Sequence, residues 1–97
     1  MSEYFDRAGH PISHEQWISV YGGPNDQRRV AFDENPDGSV RVSTVWLGLN
    51  HRWDPDGPPL IFETMVFGGP RDEEQWRWST EEQARAGHAE ICSAVLR

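Results

Sequence analysis

The sequence predicts an α+β fold. It comprises an antiparallel β-meander of about four strands, a C-terminal helix packed on one face of it, and a short N-terminal helix. Three observations lead there. In "VAFDENPDGSVRVSTVWLGL", Pro36 stands where a tight turn wants φ fixed near about −65° and Gly38 where it wants φ positive, so two strands fold back on each other. "LIFETMVF" and "EQWRWS" follow as short runs of β character. "STEEQARAGHAEICSAVLR" opens on a capping residue and two early acids, then carries an apolar stripe at helical spacing. The 97 residues make a single domain, and five Trp and four Phe supply a core that 36% apolar residues alone would leave thin.

In chain order, Asp6-Arg7-Ala8-Gly9 has the Asp-first, Gly-last form of a type I turn, and Tyr4-Phe5 and Ile12 flank it as a small hairpin. Ser13 and Gln16 have capping-box spacing, so a helix starts there with Trp17, Ile18 and Tyr21 on one side. Gly22, Gly23 and Pro24 stop it. A bulge at Gly38 puts Asn35 opposite Ser39 in the main hairpin. Phe32 then opposes Val42, Val30 opposes Thr44 and Arg28 opposes Trp46 on one face; Asp33 opposes Arg41, Ala31 opposes Ser43 and Arg29 opposes Val45 on the other.

The second strand of that hairpin begins by alternating and becomes two-sided after Thr44, with Val45, Leu47 and Leu49 on one face and Trp46 on the other. The strand over Leu60–Phe67 is also two-sided, with only Glu63 and Thr64 polar. Such strands are normally covered on both faces. The C-terminal helix is one cover; the other is the N-terminal element or a second molecule, and self-association is expected on that ground. Trp76 and Trp78 share a face of the fourth strand. Ser79 caps the last helix, whose stripe runs through Ala84, His88, Ile91, Cys92 and Val95; Gly87 within it marks a close approach of helix to sheet.

Charge and composition exclude several function classes. Neither apolar run approaches the roughly 20 residues of a membrane span. "MSEYFDRAGH" has no signal pattern, and one cysteine forms no internal disulfide, so a reducing cytosol is expected. A formal charge of −7 disfavours direct nucleic-acid binding, and every basic residue is Arg, with acids interspersed. An acidic surface imitating nucleic acid is a minor alternative.

Catalytic and metal patterns are sparse. His10 and His14 are separated by Pro11 and the cap at Ser13. His88 and Cys92 share a helix face, but two ligands are too few, and core-edge packing is expected, with no metal and no cofactor. A hydrolase would combine His51 with Asp54 or Asp56 and a nucleophile such as Ser43, yet no nucleophile elbow or oxyanion-hole pattern accompanies them. Glu63, a carboxylate in an apolar strand, is expected to be exposed, paired by an Arg, or functional. Phosphate-loop and dinucleotide motifs are absent. The loop after the second strand is the leading candidate binding site, through His51, Arg52, Trp53, Asp54 and Asp56. Trp and Arg are enriched at binding hot spots, and "DPDGPP" stiffens the backbone.

The strings "VSTVWLGLNH", "GPPLIFETMVFGG" and "STEEQARAGH", with the opening "YFDRAGHPIS" followed by Trp17, resemble a group of small proteins of actinobacteriophages and their prophages. The resemblance covers most of the chain and departs at Arg52 to Asp56 and at Cys92. It implies a bacteriophage-type protein in the cytosol of an actinobacterial host. It brings no activity, cofactor or catalytic residue. The expected function is a non-enzymatic interaction module acting on a host or phage protein, with a small hydrolase or metal-dependent enzyme using His51 and Glu63 as the alternative.

Overall fold

The computed structural model describes residues 3–22, 27–52 and 56–96. Strands β1 (Tyr4–Phe5) and β2 (Pro11–Ile12) form a two-stranded ribbon, followed by helix α1 (His14–Tyr21). Strands β3 (Arg29–Glu34), β4 (Arg41–Trp46), β5 (Phe62–Phe67) and β6 (Gln75–Trp78) form an antiparallel meander in that order, and helix α2 (Glu81–Val95) lies across it. The α+β class, the meander and the packed C-terminal helix are as the sequence predicts.

Local chemistry explains the N-terminal elements. The Asp6 carbonyl accepts from Gly9 N–H at 3.0 Å, and its carboxylate accepts from the N–H groups of Ala8 and His10. Gly9 takes the positive φ of +89° that ends this turn. Both halves of the capping box form, Gln16 N–H donating to Ser13 Oγ and Ser13 N–H to Gln16 Oε1. Trp17 and Tyr21 stack at 4.6 Å, but Ile18 is 49% exposed. The aromatic stripe of this short helix runs His14, Trp17, Tyr21; Ile18 lies a helical step off it.

The main hairpin corrects the expected register. Gly38 has φ +72° and donates to the Asn35 carbonyl, as the turn requires. Asn35 faces Val40, however, not Ser39: its N–H donates to the Val40 carbonyl, and its side-chain oxygen accepts from Val40 N–H. Asp37 Oδ1 accepts from Ser39 N–H, which draws Ser39 into the loop. The pairs become Glu34 with Arg41, Asp33 with Val42, Phe32 with Ser43 and Ala31 with Thr44. A one-residue slip exchanges the faces of a strand. Asp33 therefore turns toward α2 and Phe32 turns outward, and the expected Asp33–Arg41 pairing is absent from the register. A bulge between Arg29 and Ala31 then restores Arg29 opposite Val45 and directs Val30 into the core.

The core lies between the sheet and α2. Val42, Thr44, Trp46, Ile61, Phe62, Thr64 and Val66 are buried on the sheet side, and Ala84, Gly87, His88 and Ile91 on the helix. Thr80, not Ser79, is the N-cap: its hydroxyl accepts from Gln83 N–H, while Gln83 Oε1 accepts from Ser79 N–H. The exchange is a shift of one residue within the same reciprocal bonding. Phe5, Ile12, Trp17 and Tyr21 extend the core at the Trp46 end. Trp46 Nε1 donates to the Phe5 carbonyl, Trp17 Nε1 to the Leu47 carbonyl, and Arg7 pairs with Glu81 of α2 at 2.9 Å.

The ribbon thus joins the layer that already holds α2. Among the described residues no element lies across the opposite face of the meander, which carries Arg29, Phe32, Arg41, Ser43, Val45, Glu63, Met65, Phe67 and Arg77.

Candidate interaction face and buried polar chain

Strand alternation builds the open face. Rows across the sheet read Arg29–Val45–Glu63–Arg77, then Phe32–Ser43–Met65–Gln75, then Glu34–Arg41–Phe67. The Arg29 guanidinium lies 4.8 Å from the Phe32 ring centre, and Arg41 lies 5.9 Å from that of Phe67. Phe32 and Phe67 are 38% and 37% exposed. Arg77 pairs with Glu63 at 3.2 Å, which accounts for a carboxylate in an otherwise apolar strand. Arg, Phe and Met are residue types enriched in interfaces, and here they share one surface. Arg29, Arg41 and Arg77 outnumber Glu34 and Glu63 on this face, while the whole chain carries −7. At the bulge, Tyr21, Arg28, Arg29, Ser43, Val45, Trp46 and Leu47 line a hollow of about 190 Å³.

The loop after β4 borders the same face. Asn50 Oδ1 accepts from the N–H groups of Arg52 and Leu60, and His51 N–H donates to the Leu60 carbonyl. These bonds close the loop base. Burial is the main cause holding the His51 imidazole pKa below its ordinary 6.5; the Arg77 charge adds to it and Glu63 opposes it. His51 is therefore within electrostatic reach of the Arg77–Glu63 pair. Arg52 is half-buried, its Nε donating to the Pro58 carbonyl at 2.5 Å and its guanidinium stacked on Gly57, so it braces the loop. Asp56 is exposed. Trp53 and Asp54 lie outside the described residues.

Of the residues named for a hydrolase, His51 feels the charge of Glu63, but Glu63 is held by Arg77. Ser43 stands in the next row between Phe32 and Met65. Among the described residues no hydrogen bond links Ser43, His51 and Glu63 as nucleophile, base and orienting group.

A second polar constellation sits under α2. Trp78 Nε1 donates to Thr64 Oγ1 at 2.9 Å; Thr64 and Thr44 hydroxyls are 2.6 Å apart; Thr44 Oγ1 is 2.7 Å from His88 Nδ1; His88 Nε2 is 2.8 Å from Asp33 Oδ2. A carboxylate only accepts, so Nε2 carries a proton toward Asp33. In the neutral ring Nδ1 is then the acceptor, Thr44 donates to it, and Thr64 donates to Thr44. From Trp78 Nε1 through Thr64 and Thr44 to His88, every polar side-chain atom has a partner in that arrangement. Hydroxyl, imidazole and carboxylate in sequence suggest nucleophilic catalysis, but Thr44 is 0% exposed and no substrate reaches it. Cys92 Sγ lies 3.9 Å from the same Asp33 oxygen, and burial, with the Asp33 charge, pushes its thiol up to about 11.

Sequence reading finds His88 and Cys92 on one helix face but has no means to add Asp33, whose direction depends on the hairpin register. The open face has the same origin in part: alternation predicts its residues on β4 and β5, and Arg29 opposite Val45, but only the slip supplies Phe32. Comparison with protein-family models, with curated proteins and with solved structures finds no match to this chain.

Proposed function

We propose that the chain is a non-enzymatic protein-interaction module, of the bacteriophage type its sequence resembles, which binds a host or phage protein in the bacterial cytosol. The observation that carries this reading is the sheet face where Phe32, Phe67, Met65 and three arginines stand and, among the described residues, no helix lies over them. Apolar rings flanked by guanidinium groups provide both desolvation and bidentate contacts. The excess of arginines on this face favours a partner that presents carboxylates beside apolar side chains. His51 at the border extends the surface toward the loop, so the loop and the sheet act as one docking area. A second copy of the chain is a competing occupant of the same face.

The test is retention of bacterial proteins on the immobilised chain, with sedimentation of the free chain in parallel. Phe32→Glu with Phe67→Glu is compared with Ala86→Glu, which alters an exposed position of α2. The expected result is a defined protein retained by the parent and by the α2 variant and lost from the double variant, with all three equally folded. Retention unaffected by the double variant sinks the proposed face. Loss of a dimer in the double variant, without any other captured protein, assigns the face to self-association.

A further inference from the structure

We propose that Asp33, His88 and Cys92 form a zinc-type metal site that fastens α2 to the edge strand β3. It lies on the helix-covered side of the sheet and does not depend on the docking face described above.

One carboxylate oxygen, one imidazole nitrogen and one sulfur all lie within 4.8 Å of one another. A tetrahedral ion with bonds of about 2.0–2.3 Å spaces its ligand atoms roughly 3.3–3.8 Å apart. Two of the three separations, 2.8 Å from His88 Nε2 and 3.9 Å from Cys92 Sγ to Asp33 Oδ2, bracket that range, and the third, between Nε2 and Sγ, is within 4.8 Å. Small side-chain rotations bring all three donors to bonding distance. His88 and Cys92 are one helical turn apart on a rigid element, and Asp33 reaches them from the opposed strand.

The support behind the imidazole is that of a metal ligand. Nδ1 faces the Thr44 hydroxyl, which is itself tied to Thr64 and through it to Trp78, so the ring is held with Nε2 directed at Asp33 and Cys92. With metal on Nε2 the ring proton resides on Nδ1 and is donated to Thr44. The thiol gives up its proton to solvent on binding. Thiolate and carboxylate together balance a divalent charge. The Asp33 side chain is 59% exposed, so an ion enters from solvent and water takes the fourth position. Sulfur and imidazole select a borderline transition ion over calcium or magnesium.

Cobalt(II) titration of the full chain provides the test, with zinc added as competitor. The parent is expected to show a thiolate-to-cobalt charge-transfer band saturating at one equivalent and abolished by zinc. Cys92→Ser removes the band. Asp33→Asn weakens zinc binding by more than the roughly 10–100-fold that loss of an outer-shell partner costs. Both residues lie at the edge of the core, and circular dichroism verifies that each variant is folded. A folded parent without the band at millimolar cobalt overturns the site. So does zinc affinity unchanged in either variant, since the ion would then be held elsewhere.

Discussion

Gly87 of α2 and the ring of Trp78 are in direct contact: a Cβ at Gly87 would stand 2.3 Å from Cη2 of Trp78. The helix comes close to the end of β6 because this position has no side chain. Replacing Gly by Ala inside a helix ordinarily gains about 1 kcal/mol. Here the added methyl forces the half-buried indole of Trp78 to move, and overpacking costs roughly 1–3 kcal/mol. Gly87→Ala is therefore expected to lower stability in denaturant titrations. A gain of the helix-propensity size would mean that the helix stands off the sheet.

The chain from Trp78 to Asp33 makes a second prediction. Thr44→Val leaves His88 Nδ1 without its hydroxyl, and Thr64→Val does the same to Trp78 Nε1. Each is expected to cost about 1–3 kcal/mol, the penalty of a buried polar atom left unpaired. Because the two hydroxyls are 2.6 Å apart, the double variant is expected to cost less than the sum of the two singles. Strict additivity in a double-mutant cycle would show that the threonines act separately.

The turn of the main hairpin supplies a third. Gly38 has φ +72°, and the nearest atom to an added Cβ is Glu34 Oε2 at an ordinary 3.5 Å. Space is available, so Gly38→Ala tests conformation alone and is expected to destabilise by about 1 kcal/mol. Gly38→Asn is expected to cost less, because Asn enters the left-handed region more readily. Equal loss in both variants would point to a steric cause.

His51 reports on the border of the open face. Its folded pKa lies below the ordinary 6.5, so protonation favours the unfolded chain; this contribution to stability is present above about pH 6.5 and is lost as pH falls through the folded value. Arg77→Gln removes a lowering charge and is expected to raise the His51 pKa in an NMR titration. Glu63→Gln removes the opposing charge and is expected to lower it further. If neither variant moves the titration, the loop stands away from the sheet face.

What the sequence by itself determined is what neighbours in the chain decide. The capping box at Ser13 and Gln16, the positive φ at Gly38, the two-sided β4 and β5, and the α2 stripe with its gap at Gly87 all depend on a few consecutive residues. Their hydrogen bonds and spacings are written in residue order. The faces of β3 are different. Of two registers one residue apart, local pattern favours the one that sets Phe32 against Val42 and Asp33 against Arg41, whereas the structure takes the other, with Phe32 against Ser43 and Asp33 against Val42. Tertiary structure decides between them through bonds that span the chain: Asn35 to Val40 across the turn, and Asp33 to His88 over 55 residues. That decision sends Asp33 beneath α2 and Phe32 to the open face. It also assembles both candidate sites, because a donor cluster or a docking surface exists only once separate strands agree on which side is in. The side taken by the N-terminal ribbon was equally illegible: the sequence left that ribbon and a second molecule as alternative covers for the second face. The Arg7–Glu81 pair and the Trp46 and Trp17 indole bonds draw the ribbon to the helix layer, so that among the described residues no element covers the other face of the sheet.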